Sequence, residues 1–240
     1  MGVVDVVDLA GEPVVLDTGE PVVPDPRVLA RIDAIWTAEK AARGDALFDA
    51  PLFDLHVRDG AMLRGAYVPY RYFVAQRRDP ELRAQLNITP VGVAGILRVG
   101  DGVVLGRRDQ ASELDAGRWE SVPSGGLDDT NRMDDGRVDA RAQLLDELGE
   151  EVGLDPADIT GMRSLGLIHD GRDGVSELAF ELTTELDFDA VRAKHAALKT
   201  EEYSEVRWFP LREARAFLEE APGGTTPVTE ALLGLIDGTC

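Results

Sequence analysis

The 240-residue sequence has one cysteine, Cys240, and only three histidines. A lone cysteine forms no disulfide within the chain and cannot supply a cysteine-based zinc site, so we expect no thiol chemistry. His56, His169 and His195 are scattered without H-E-x-x-H spacing, and we interpret each as incidental. The sequence therefore gives little support for a zinc or thiol-dependent site.

Basic residues are few relative to acidic ones, with 25 Lys and Arg against 45 Asp and Glu and a formal net charge of −20. Such a charge repels phosphate backbones, so we expect no nucleic-acid partner. The longest stretch without a charged residue, 84–97, is shorter than the roughly 20 apolar residues that span a bilayer. Asp5 and Asp8 stand where a signal peptide would be apolar. We expect a cytoplasmic protein with no membrane partner.

Three common nucleotide or hydrolase motifs are also missing. No G-x-G-x-x-G opens a helix, no G-x-x-x-x-G-K occurs, and no serine lies in G-x-S-x-G. Their absence argues against a dinucleotide-binding fold, a P-loop enzyme and a serine hydrolase. No repeat of fixed period is visible either, so solenoid architectures are not expected.

Strands and helices alternate irregularly along the chain. Asp59-Gly60 between two β-like runs predicts a hairpin, and 138–152 predicts a helix that ends at Gly153. We interpret 119–126 as a loop of small residues. The other predicted elements are a helix from Pro26, strands at 165–168, 175–182 and 206–209, and helices at 188–198, 211–220 and 228–236. We expect an α/β sandwich with a mixed β-sheet over 87–240, preceded by an α+β extension over 1–86.

The helix that ends at Gly153 carries three glutamates on one side. At about 100° per residue, Glu147, Glu150 and Glu151 share one arc of about 100°. Carboxylates grouped on a rigid support suit Mg²⁺ or Mn²⁺, which bind oxygen ligands and substrate phosphates together. The alternative is an ordinary solvated acidic face.

Three segments resemble the Nudix hydrolase superfamily, whose box reads G-x5-E-x7-R-E-U-x-E-E-x-G-U, where U is a bulky aliphatic residue. The segment ELGEEVGL, 147–154, matches the end of that box. WESVPSGG, 119–126, is similar to the family's W-x-x-P-G-G entry, and EVRWFPL, 205–211, resembles its E-x-x-W-x-P-L strand and helix start. The resemblance covers about 90–220 and implies the Nudix α/β/α sandwich.

The first half of the box departs from this pattern. If Gly126 is the box glycine, about six extra residues lengthen the following loop. Val138 then stands at the early Glu position, and Asp146 stands at the position of the Arg that orients the glutamates. These departures favour, as one alternative, a Nudix-fold module that binds nucleotides without hydrolysing them.

The resemblance implies a metal-dependent cleavage of a nucleoside diphosphate linked to another group, by attack of water on phosphorus. It implies Mg²⁺ or Mn²⁺ ligands at Glu147, Glu150, Glu151 and the Gly125 carbonyl. Glu150 and Glu151 would thereby serve catalysis, and Glu202, six residues before Trp208, is the expected general base.

The residues expected to bind the substrate precede the three Nudix-like segments in the sequence. Arg107 and Arg108 can clamp phosphates, although neighbouring strand residues point to opposite faces. The segments LFDAP (47–51), YRYF (70–73) and PVG (90–92) are similar to the Nudix branch that hydrolyses uridine-diphosphate sugars. We therefore expect Arg71 and Tyr72 to contact a nucleotide sugar. ADP-ribose or a nucleoside triphosphate remains an alternative substrate, and a homodimer is a family-level expectation.

Overall fold

The computed structural model describes residues 4–44, 47–110, 115–198, 202–221 and 223–238. Cys240 lies outside the described residues. The strands are β1 (Val4–Val7), β2 (Val14–Asp17), β3 (Pro51–Asp59), β4 (Met62–Pro69), β5 (Val91–Val99), β6 (Gly102–Arg108), β7 (Trp119–Ser121), β8 (Ser124–Gly126), β9 (Arg137–Val138), β10 (Ile159–Asp170), β11 (Val175–Thr184) and β12 (Tyr203–Pro210). The helices are α1 (Pro26–Arg43), α2 (Tyr70–Arg78), α3 (Pro80–Leu86), α4 (Ala140–Val152), α5 (Phe188–Ala197), α6 (Leu211–Glu220) and α7 (Pro227–Asp237).

The larger sheet has the strand order β1-β10-β11-β5-β6-β12, with β7 paired to β6 and β8 paired to β5. β11 and β5 are parallel, and the other pairs are antiparallel. β5 lies in the middle, and only Arg98 among its residues is not fully buried, as expected of a strand covered on both faces. α4 packs with the apolar cluster on one face of the sheet, and α6 and α7 pack with the cluster on the other. The expected α/β/α sandwich with a mixed sheet is confirmed.

The smaller sheet has the order β3-β4-β2-β9, in which only β2 and β4 are parallel. The hairpin predicted at Asp59-Gly60 is present, and Gly60 has a φ of +56°, which favours glycine. α1, α2 and α3 pack together around a separate apolar cluster that includes Ile32, Phe73 and Leu82. The smaller sheet contacts the larger one through β3. The Phe53 N–H of β3 donates to the carbonyl of Leu127, the residue that follows β8.

The two parts of the chain exchange strands. β1, from the N-terminal part, pairs with β10 at the edge of the larger sheet, and β9, from the loop before α4, pairs with β2 in the smaller sheet. The expected division at residue 86 therefore stays a prediction about sequence regions, because each sheet contains strands from both of them. No helix in the described part of the chain is long and apolar enough to cross a bilayer.

Two sequence predictions differ from the structure for the same reason. The predicted loop 119–126 contains two strands. β7 pairs with β6, and Gly125 and Gly126 of β8 pair with Val93 and Gly92 of β5. The helix predicted from residue 138 begins at Ala140, because Val138 pairs with Val15 in β9. In both places, pairing with a strand distant in sequence overrides the local pattern.

Candidate functional site

A cleft of about 310 Å³ opens where the two sheets meet. β8 and the start of β5 line it on one side, and α2 and the first turn of α7 line it on another. The charged residues that line it, within the described residues, are Arg108, Asp115, Glu120, Asp170, Arg172, Asp173, Glu177 and Glu202. Carboxylates thus outnumber guanidinium groups by six to two.

Helix α4 is held beside this cleft by caps at both ends. The Asp139 side chain accepts from the N–H groups of Arg141 and Ala142, and Gly153, in the left-handed region, donates to the carbonyls of Leu148 and Gly149. Leu144, Leu148 and Val152 pack in the core, which fixes the glutamate-bearing side of the helix against β8.

Glu151 is 2% exposed and contacts β8 directly. Its Oε2 accepts from the Ser124 N–H at 3.0 Å and lies 3.4 Å from the Tyr203 hydroxyl, while its Oε1 is buried without a hydrogen-bond partner. Burial raises the pKa of Glu151 well above its ordinary value, and repulsion from Glu202 and Glu120 adds to the rise. A buried carboxylate in this state has one oxygen available for a cation.

Glu147 lies one turn away, against the backbone of β8. A Cβ placed on Gly125 would lie only 2.1 Å from Glu147 Oε1, so the glycine makes room for the carboxylate. Burial raises the pKa of Glu147 to about 7; the Gln143 amide, which donates to Oε1 at 2.9 Å, opposes this rise, and the neighbouring Glu150 carboxylate favours it. Glu150 itself is exposed on α4.

Glu202 and Arg108 meet at the cleft. Arg108 Nη2 lies 3.3 Å from Glu202 Oε1, and Arg108 Nη1 lies 2.5 Å from Glu120 Oε1. Glu120, 7% exposed, also accepts from the Tyr203 hydroxyl at 2.8 Å. Burial raises the pKa of Glu120, and the Arg108 guanidinium opposes that rise.

The other expected substrate-binding residues lie elsewhere. Arg107 Nε donates to the Gly117 carbonyl at 3.3 Å, as the alternation along β6 requires, since Arg108 lines the cleft. Tyr72 is 8% exposed, in the core formed by α1, α2 and α3, and Arg71 stacks over it and pairs with Asp49. Helix α2 instead presents Tyr70 and Phe73 to the cleft.

Several residues of the cleft were not predicted, or only weakly. Glu177, on β11, lines the cleft, and burial and the nearby Glu120 carboxylate raise its pKa to about 8. The Asp170 carboxylate accepts hydrogen bonds of 2.6 to 3.1 Å from the Arg172 guanidinium. Tyr203 stands beside Glu202 in sequence, and the alternation of β12 was the signal that could have revealed it.

Comparison with known proteins finds no matching family model and no matching curated protein. Solved structures do match. DR0079 from Deinococcus radiodurans is 15% identical, with a TM-score of 0.50, over 75% of this chain and 96% of its own. The NUDIX domain of NrtR from Shewanella oneidensis, complexed with ADP ribose, is 16% identical, with a TM-score of 0.45, over 62% and 86%. The MutT NUDIX hydrolase from Burkholderia pseudomallei is 18% identical, with a TM-score of 0.41, over 61% and 96%.

This chain shares its fold with DR0079. Within that fold, the departures noted in the box have definite positions. The Asp146 carboxylate, where the box has Arg, is exposed and accepts from Asn131 Nδ2 at 2.8 Å. The same Asn131 amide lies 3.3 Å from Gln143 Oε1, and Gln143 donates to Glu147. The neutral amide of Gln143 therefore contacts Glu147, while the Asp146 position, where the resembled box has Arg, supplies no cation.

The carboxylates of α4 fit a divalent cation in two respects. Glu151 Oε1 is a buried oxygen without a partner, and Glu147 fills the space over Gly125 that a side chain would occupy. Oxygen donors of this kind suit Mg²⁺ or Mn²⁺. No three acidic, histidine or cysteine side chains of the described residues already converge in a metal-binding geometry.

Proposed function

We propose that this chain is a Mg²⁺- or Mn²⁺-dependent pyrophosphohydrolase that cleaves a nucleoside diphosphate linked to another group. The observation that carries the proposal is the contact of α4 with β8. Glu151 accepts from the Ser124 N–H, and Glu147 lies against Gly125, so two carboxylates lie directly behind β8, the strand that lines the cleft. The Nudix fold agrees with this chemistry.

The residues that would hold the metal are Glu147, Glu150, Glu151 and the Gly125 carbonyl. A bound Mg²⁺ or Mn²⁺ would neutralise the diphosphate and lower the pKa of the attacking water. Glu202, at the cleft and within 3.3 Å of Arg108, is the candidate to accept the proton of that water. Arg108 would orient a phosphate oxygen on the same side.

The favoured substrate is a nucleotide sugar, with one diphosphate and a neutral, hydroxyl-rich group. Arg108 already contacts Glu120 and Glu202, and Arg172 is chelated by Asp170. Because carboxylates satisfy these guanidinium groups, each further phosphate would enter an acidic cleft with little compensation. A nucleoside triphosphate would therefore be a poorer substrate than a nucleotide sugar, whereas ADP-ribose, with one diphosphate and a neutral sugar, matches the nucleotide sugar in charge.

The test is phosphate release through a coupled phosphatase from nucleotide sugars, ADP-ribose, dinucleoside polyphosphates and nucleoside triphosphates, with Mg²⁺, Mn²⁺ or chelator. We expect turnover of nucleotide sugars that chelator abolishes. We expect Glu151→Gln to lower kcat at least 100-fold, because removing a catalytic electrostatic group typically costs about 10² to 10³. Circular dichroism checks that the variant keeps its fold.

Glu219→Gln is the matched control, because Glu219 is exposed on α6, on the opposite face of the sheet from α4. It removes one charge of the same kind and should leave turnover unchanged. Full metal-dependent turnover in Glu151→Gln would refute the ligand assignment.

A second candidate function is a Nudix-fold module that binds a nucleotide without hydrolysing it. The observation that favours it is Asp146, an exposed acid where the box has a cation. This function predicts that nucleotides raise the melting temperature while no substrate of the panel yields product in either metal.

A further inference from the structure

The metal and base assignments leave Glu120 and Tyr203 unused, although both belong to a chain of side chains that begins at the cleft. It runs from Arg108 through Glu120 and Tyr203 to Glu151, and we call it the Arg108–Glu151 relay. Arg108 Nη1 and the Tyr203 hydroxyl both contact Glu120 Oε1, at 2.5 and 2.8 Å, and the same hydroxyl lies 3.4 Å from Glu151 Oε2. Three elements, β6, β7 and β12, thus reach the glutamate on α4.

The position of Tyr203 is built into the fold. Tyr203 is 3% exposed and pairs with Arg108 across β12 and β6. Its ring lies over Gly106, where a Cβ would approach Tyr203 Cδ1 to 2.7 Å and Val122 Cγ1 to 2.8 Å. Only a residue without a side chain leaves room for the ring at this depth, so the hydroxyl is held in one place.

The hydroxyl has two carboxylate neighbours but only one proton to donate. The shorter contact goes to Glu120, whose charge Arg108 compensates. Glu151 is held on Oε2 by the Ser124 N–H, which leaves Oε1 buried and without a partner. The Ser124 N–H and the Tyr203 hydroxyl both lie against Oε2, so Oε1 is the oxygen of Glu151 that stays available to a cation.

We propose that Tyr203 is a positioning residue, which with Glu120 and Arg108 orients Glu151 for a divalent cation. This inference rests on the proposed metal-dependent function. Partners that orient metal ligands typically contribute about 10- to 100-fold to metal affinity. Tyr203 itself touches neither substrate nor reacting atoms in this assignment.

The test measures Mn²⁺ alone, by electron paramagnetic resonance of the free ion, in the full chain without nucleotide. We expect Tyr203→Phe to raise the Kd for Mn²⁺ about tenfold, because it removes only the hydroxyl that contacts Glu120 and Glu151. Tyr67→Phe is the matched control. It removes a different tyrosine hydroxyl, which is half-buried and donates to the Asp128 carbonyl at 2.7 Å, and it should leave the Kd within twofold of wild type.

A second measurement does not depend on how Tyr203→Phe folds. Wild-type protein labelled with 3-fluorotyrosine contains four tyrosines, and Tyr→Phe variants at 67, 70 and 72 assign the fourth ¹⁹F resonance to Tyr203. We expect Mg²⁺ to shift the Tyr203 resonance. Unchanged Mn²⁺ affinity in a folded Tyr203→Phe, or a Tyr203 resonance that Mg²⁺ leaves unmoved, would overturn the proposal.

The outcomes separate this proposal from the proposed function. If wild type binds Mn²⁺, the relay behaves as expected and no substrate is cleaved, the hydrolase fails and the positioning role of Tyr203 stands. If turnover depends on metal but Tyr203→Phe binds Mn²⁺ as wild type does, the positioning role fails alone. If wild type binds no Mn²⁺, both fail.

Discussion

Gly125 shows how little space separates α4 from β8. The Glu147 carboxylate occupies the place of its missing side chain, whereas a Cβ on the neighbouring Gly126 would meet nothing within 4 Å. The two glycines differ in this respect although both belong to the same three-residue strand. Their substitution therefore separates crowding of the glutamate from a general effect on the strand.

We expect Gly125→Ala to displace Glu147, since the added methyl would overlap its carboxylate. Turnover and Mn²⁺ affinity should both fall at least tenfold, in line with the loss of one oriented ligand. Gly126→Ala is the control, and it should retain both within about twofold. Equal loss in the two variants would show that β8, and not Glu147, is the sensitive feature.

Asp54 gives a prediction about pH and stability. It is 2% exposed, accepts from the Thr89 N–H at 2.7 Å and lies 3.2 Å from His56 Nε2. Burial raises the pKa of Asp54 above its ordinary value, more than these contacts lower it. The folded state therefore binds the proton more tightly than the unfolded state, whose pKa is about 3.9.

The free energy of unfolding should consequently fall as pH rises from the pKa of Asp54 in the unfolded state to its higher pKa in the folded state. Asp54→Asn removes this dependence, so the variant should gain stability relative to wild type between about pH 4 and pH 7. Urea denaturation of wild type and Asp54→Asn at about pH 4 and pH 7 measures the difference in unfolding free energy between the two proteins. A difference in unfolding free energy that is the same at both pH values would contradict the assignment.

Helix α4 was the element best predicted from sequence, because its apolar stripe, its glutamates and its terminal glycine agree with one another. Glu147 and Glu151 could be predicted as neighbours for that reason, and the structure brings them to β8. Glu120 and Tyr203 could not, since their contact with Glu151 depends on the register of β6, β7 and β12. β8 was also missed, because Ser-Gly-Gly has no strand preference of its own.

The N-cap of α4 can be tested directly. Asp139→Ala removes the side-chain acceptor for two N–H groups, and we expect a loss of about 1 kcal/mol in unfolding free energy. Asp139→Asn keeps a good capping side chain and should recover most of that loss. Chemical denaturation of the three proteins provides the measurement, and equal stabilities would show that α4 does not depend on its cap.

The whole molecule carries a net charge of −20, and its cleft concentrates carboxylates. Self-repulsion of this kind destabilises the compact state and is screened by salt. We expect the melting temperature to rise when NaCl is increased from 20 to 200 mM, roughly tenfold, because the Debye length shortens. An unchanged or lower melting temperature would mean that ion pairs such as Arg172–Asp170 outweigh the repulsion.

Fold class and the core of the sandwich could be predicted from alternating patterns, but the exchange of strands between 1–86 and 87–240 could not. β1 and β9 have four and two residues, too few to show a period of their own. β1 forms because it pairs with the longer β10, and β9 forms because it pairs with the longer β2. The boundary at residue 86, the metal, the substrate and a homodimer remain predictions.

The pairing of β1 with β10 also has a consequence for synthesis. The first strand of the chain cannot dock until residues 159–170 have left the ribosome. At about 5 to 20 residues per second, the N-terminal segment waits on the order of 10 to 30 seconds for its partner. Translation speed between β1 and β10 therefore sets how long the unpaired β1 is exposed to other nascent chains.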